Sequence, residues 1–171
     1  MAKLSKDRLI FGVPLIIVVA LGMIILGKLG FPNDTWPAFM VMIFFFEAHM
    51  DIKKAPHILV GGLFGIANII LIKIFLGAAA ASMGLELAML VYVVVFVYLI
   101  VALGEVVPVI FNNYAFMYFL VAGVAAKGPA PDVFVWMGVE VIGGAIFIAA
   151  ILGIMKILGS LATKKAAKKA A

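Results

Sequence analysis

Residues 85–103, LELAMLVYVVVFVYLIVAL, run for 19 positions with one charge, Glu86, and neither glycine nor proline. A hydrocarbon core about 30 Å thick takes roughly 20 helical residues to cross, so this run has the length of a membrane span. Inside lipid every backbone polar group must be bonded within the protein, which leaves helices or a closed barrel. The run is continuously apolar and shows no alternation, so it reads as a helix.

Working outward, glycine, proline and charge divide the rest of the chain into similar runs at 9–27, 36–50, 57–76, 113–126 and 133–158. With 85–103 they make six expected crossings joined by short connections. The expectation is an all-α, polytopic membrane protein with one integral domain over residues 1–171. Composition agrees: 67% of the 171 residues are hydrophobic and 12% charged, with a mean hydropathy of +1.32. A soluble domain of this size could not hide so much apolar surface. The run at 9–27 is too long for a signal-peptide core and lacks a clear small-residue cleavage site. No cysteine is present, so disulfides, thiolate metal sites and cysteine nucleophiles do not arise.

The net charge of +5 reads as topology, with no nucleic-acid partner. Of 13 Lys/Arg, ten lie before the first run, between the second and third, and at or after the end of the sixth. Lys28, Lys73 and Lys127 are the three on the opposite side. The positive-inside rule then puts both termini in the cytoplasm, consistent with an even number of crossings. The basic tail at 160–171 reads as a solvated helix end with some attraction to anionic lipid.

The two halves, about 9–80 and 85–158, resemble each other. Trp36-Pro37-Ala38-Phe39-Met40 lies over Asn113-Tyr114-Ala115-Phe116-Met117; further on, Gly62 falls on Gly138 and Gly77 on Gly153. Three crossings per half would invert the second copy, giving a 3+3 inverted repeat of the kind that places a transport path near the midplane between halves. The runs at 36–50 and 113–126 are both short, and short segments in matching positions point to a site. Local bilayer thinning would also accommodate them. Small residues at Gly61-x-x-x-Gly65 and Ala145-x-x-x-Ala149-x-x-x-Gly153 suggest close helix seams.

Few polar residues interrupt the apolar runs. Glu140 comes eight residues after Asp132, roughly 12 Å into the last run. A carboxyl at that depth marks a path or a paired site. Asn68, twelve residues after Pro56, reaches roughly 18 Å in, and either lines a path or bonds one helix to another. Glu47, His49 and Asp51 close the second run. Residues two apart on a helix point about 200° apart, so Glu47 and His49 cannot chelate one ion, although Glu47 and Asp51 share a face. Glu47, His49, Asn112 and Asn113 are candidates for a cytoplasmic vestibule, with Asn113 capping the fifth run. Otherwise they belong to solvated joints. Trp36 and Trp136 read as interfacial belt residues. No catalytic constellation, metal site or cofactor is called for.

The stretch from Trp36-Pro-Ala-Phe39 to Phe44-Phe-Phe46, the segment 56–65, and Val107-Pro108 to Phe116 with the glycine-rich run beyond it resemble a family of small six-span bacterial inner-membrane proteins. That family is catalogued as a domain of unknown function (ten-ninety-seven). The likeness covers roughly residues 9–158 and departs at Glu47 and His49. It implies a multi-pass inner-membrane protein that transports or conducts, and brings no substrate or functional residues with it.

The expected function is a homo-oligomeric channel or simple transporter for a small solute: a polar molecule, a weak acid or a monovalent ion. The alternative is a membrane-embedded substrate-binding or assembly subunit of a larger transporter. Six spans in so short a chain suit the binding subunits of energy-coupling-factor transporters, yet the first run lacks their repeated Ala-x-x-x-Ala stripe. An intramembrane enzyme is not expected, since no Ser/His dyad or paired Asp lies at depth.

Overall fold

The structure, a computed structural model, describes residues 6–128 and 131–170, and every regular element among them is helical. In order these are α1 (Lys6–Lys28), α2 (Trp36–Glu47), a 3-10 turn (Ile52–Lys54), α3 (Ala55–Met83), α4 (Leu85–Leu103), α5 (Asn113–Ala125), α6 (Val133–Gly138), a π turn (Val139–Gly143) and α7 (Gly144–Ala170). Lys3 lies outside the described residues, as do the side chains of Lys6, Arg8, Lys165, Lys168 and Lys169.

Four of the six expected runs are helices long and apolar enough to cross a membrane: Leu9–Lys28, Ile52–Met83, Leu85–Leu103 and Val133–Leu161. The other two, α2 and α5, have 12 and 13 residues. That is about 18 and 20 Å of helix, well short of a core about 30 Å thick.

Local chemistry sets the boundaries. The third run continues past residue 76 to Met83 because Ala78–Ala81 are strong helix formers; it stops at Gly84, whose φ of +84° turns the chain tightly into α4. Proline stands in the first turn of both α2 and α3, where its missing N–H is no loss. Asn112, not Asn113 as expected, caps α5: its Oδ1 accepts from Ala115 N at 3.0 Å. Asp132 caps α6 by accepting from Phe134 N and Val135 N at 3.0 and 3.1 Å.

The end of α2 differs most from expectation. Met50 N donates to Phe45 O and His49 N to Phe46 O, a paired closure that winds the chain left-handed past the helix. His49 and Met50 adopt φ of +55° and +60°, where glycine would be usual. The helix therefore ends at Glu47. Asp51 does not share its face; it accepts from Lys53 N at 3.0 Å and caps the 3-10 turn.

Glycine decides the packing. α3 and α5 run parallel, with contacts advancing together along both chains. A Cβ on Gly61 would strike the Asn112 amide, one on Gly65 the Ala115 carbonyl, and one on Gly123 would only graze Ile69. α2 packs in the same parallel sense on the last helix, where a Cβ on Gly143 would lie 2.8 Å from Ala38 Cβ and one on Gly144 2.5 Å from Val41 Cγ2. The expected Gly61/Gly65 seam is thus present. The Ala145, Ala149, Gly153 stripe is not an internal seam: both alanines are exposed, and a Cβ on Gly153 would meet nothing within 4 Å. The second seam uses Gly143 and Gly144 because the π turn inserts an extra residue and rotates the helix beyond it.

Phe45, Ile58, Ile66, Tyr118, Trp136 and Ile151 fill the centre where α2, α3, α5 and the last helix meet. α4 covers α3 from one side. α1 stays peripheral: none of its described side chains is buried, and it touches the rest mainly where Gly22 meets the Phe147 ring.

Candidate functional site

The fold brings an acidic side chain into the middle of this apolar packing. Glu140 stands in the π turn and is wholly buried, at 0% exposure. Neither carboxyl oxygen has a hydrogen-bond partner. Wide turns of this kind interrupt the regular i to i+4 ladder and recur at functional sites. A buried, unpaired carboxylate costs several kcal/mol, so a group left this way calls for an explanation.

Its neighbours come from three elements. Gly62 of α3 faces it without a side chain: a Cβ there would lie 2.5 Å from Glu140 Oε1 and 2.8 Å from Tyr118 Cε2. Glycine leaves the room for this close approach. Tyr118 of α5 is fixed at its far end, where its hydroxyl donates to Pro37 O of α2 at 2.8 Å. Carboxyl, phenol ring and glycine thus share one small space.

Aromatic rings from the two ends of α2 pack on Tyr118. Towards Asp34, Trp36 meets Trp136 edge-on at 5.4 Å and Tyr118 at 6.2 Å. Trp136 Nε1 donates to Asp34 Oδ1 at 2.6 Å, whereas the buried Trp36 Nε1 has no partner. Trp136, expected in an interfacial belt, is instead 2% exposed and part of the core. Towards Glu47, Phe44 packs between Tyr114 at 5.1 Å and Tyr118 at 5.7 Å.

Beyond the Phe44–Tyr114 layer lies an open cavity of about 600 Å³, lined by Glu47, Lys54, His57, Asn112, Asn113 and Tyr114 among others. Tyr114 Oη donates to Glu47 Oε2 at 3.2 Å across its wall. Asn112 forms a rigid part of it: beyond capping α5, its Nδ2 donates to the carbonyls of Pro108, His57 and Val109 at 2.9 to 3.2 Å. His57 presents a buried Nδ1 with no partner. Glu47, Asn112 and Asn113 therefore come together as expected for a vestibule, with His57 among the lining residues. His49, in its left-handed turn, is exposed.

No protein-family model, curated protein or solved structure matches this chain.

Asn68 is buried and fully employed. Its Nδ2 donates to Phe64 O one turn back at 2.7 Å, and its Oδ1 accepts from Tyr92 Oη of α4 at 2.8 Å. It bonds α3 to α4, the second of the two roles open to it from sequence. No three His, Asp or Glu side chains gather as a metal site among the described residues.

In the sequence Trp36 reads as a belt residue, Gly62 only as one point of the repeat, and Phe44 and Tyr118 as lipid contact and packing. One signal was available: Tyr114 and Tyr118 stand four apart and share a helix face, which could have linked the vestibule to Glu140.

Proposed function

We propose that this protein is a membrane channel or simple transporter for a small solute, with its path running past Glu140. The observation that carries the reading is the sealed, unpartnered carboxyl of Glu140. An ionisable group in the middle of a membrane protein marks a pathway by default. Here it lies one aromatic layer away from a polar, open cavity. A closed aromatic layer on each side is what an occluded midpoint needs, since apolar constrictions gate by excluding water.

In this reading α2 and α5 are the short second and fifth crossings, making six in all. The pairing of α5 on α3, matched by that of α2 on the last helix, supports a 3+3 inverted repeat with its midplane near Glu140. The 600 Å³ cavity faces the cytoplasm, together with both termini, by the positive-inside rule. The exposed Ala145/Ala149 stripe and the peripheral α1 leave surfaces for further copies in a homo-oligomer.

The test is reconstitution of the full chain in liposomes and stopped-flow measurement of swelling across a panel of small neutral, weakly acidic and ionic solutes. Raised permeability to some of them, altered by Glu140→Gln, is the expected result. Flux no greater than in empty liposomes for the whole panel would remove the proposal, and co-purification with an ATPase module would favour the role of a transporter subunit instead.

A further inference from the structure

Glu140 needs a positive charge beside it whenever it is ionised, and no protein group in its surroundings provides one. α3 packs against it with Gly62, and the only ionisable side chains on α3 are His57, which lines the distant cavity, and the exposed Lys73. α2 offers Pro37, Ala38 and Val41 here; Asp34 precedes the helix and Glu47 ends it. α5 contributes Tyr118, whose hydroxyl is engaged by Pro37 O, and Tyr114, which bonds Glu47. On its own segment the nearest acid is Asp132, occupied in capping α6, and the nearest base is Lys156, exposed more than four turns away.

Space limits what can supply the charge. A Cβ on Gly62 would lie 2.5 Å from the carboxyl oxygen, so no cation fits between the two as they stand. Tyr118 stands beside the carboxyl, and Trp36 and Trp136 continue the aromatic cluster from it, so an occupant entering here would meet aromatic rings. Aromatic faces beside a carboxylate attract weakly hydrated cations such as quaternary ammonium and guanidinium groups.

We infer that Glu140 is an exchange site at which a proton and a small, weakly hydrated organic monocation bind in competition, so that movement of the cation one way is coupled to a proton the other way. The exchange balances: the carboxyl gives up one proton as it takes one cation, and no net charge is left buried in either state. This deepens the transport reading and rests on Glu140 being the midpoint of the path.

The chain carries an optical probe for the test, because its only two tryptophans, Trp36 and Trp136, both belong to this cluster. Purified full-length protein in detergent is titrated with tetramethylammonium and with guanidinium, both permanently charged, while tryptophan emission is followed from pH 5 to pH 9. The expected result is a saturable change whose half-saturation concentration rises about tenfold for each unit of acidification on the acid side, as one-for-one competition requires. Glu140→Gln should abolish the response and Glu140→Asp should keep it, weakened and still pH-dependent. A wild-type response that is absent at every pH, or independent of pH, would overturn the inference, as would an unchanged response in a Glu140→Gln protein that elutes and melts like wild type. If Glu140→Gln does not fold, the wild-type pH dependence alone decides. Neutral-solute flux in liposomes without cation binding would sink this inference and leave the transport reading standing; binding without flux would overturn the transport reading and the coupled movement with it, leaving only a competitive binding site.

Discussion

Replacing Gly65 by alanine tests whether the α3–α5 seam holds the site together. A Cβ at Gly65 would overlap the Ala115 carbonyl oxygen and lie 2.7 Å from Tyr118 Cβ and 3.0 Å from Phe119 N. Two of those three atoms are backbone and cannot swing aside, so α5 must back away from α3. Overpacking a tight contact costs about 1–3 kcal/mol; with backbone as the obstacle we place this variant at about 3 kcal/mol, roughly a hundredfold in the folded-to-unfolded ratio. Gly62→Ala should fall lower in the same range, because one of its obstacles is the mobile Glu140 carboxyl and the other is the edge of a ring. Gly138→Ala is the control: nothing lies within 4 Å of its added Cβ, and alanine is intrinsically the better helix former by up to about 1 kcal/mol. Reversible unfolding in mixed micelles by increasing SDS, followed by circular dichroism and tryptophan emission, gives the three midpoints. If Gly65→Ala and Gly138→Ala unfold together, the seam does not carry the weight assigned to it.

Two further substitutions probe the polar links. Asn112→Ala removes the cap of α5, a loss of about 1 kcal/mol, and also releases the carbonyls of His57, Pro108 and Val109; a total near 2 kcal/mol should appear in the same unfolding assay, with faster hydrogen exchange at Ala115 N. Tyr92→Phe deletes the bond from α4 to Asn68; bonds of this kind between membrane helices average about 0.6 kcal/mol, so its midpoint should shift by much less than that of Asn112→Ala.

The helical class, the position of every long apolar run and the buried acid at residue 140 were legible because membrane solvation forces continuous apolar runs and makes a charge within them conspicuous. Four helices are long and apolar enough to cross a membrane. α2 and α5 were recognisable as short, but their ends were not. α2 stops through a left-handed turn at His49 and Met50, residues that carry no such signal in sequence. Trp136 was misread because its indole looks the same whether it meets lipid headgroups or the Asp34 carboxylate; only packing against Trp36 separates the two. The Ala145 stripe left open whether its seam would join helices of one chain or of two, because spacing shows which residues share a face and not what covers it; within this chain that face is exposed. Asn68 left two roles open, and its partner Tyr92, 24 residues away, could not be identified from periodicity.

That change of pitch has a consequence for how the last helix can vary. Each residue added to or taken from a helix turns everything beyond it by about 100°. The five residues Val139–Gly143 therefore act as a phase shifter between two faces, that of α6 before them, which packs on α3, and that of α7 after them, which presents Gly144 to α2. A chain one residue shorter here would make a smoother helix, yet it could satisfy only one of those faces at a time. The irregularity is thus what lets a single rod serve two partners that an unbroken screw could not address together.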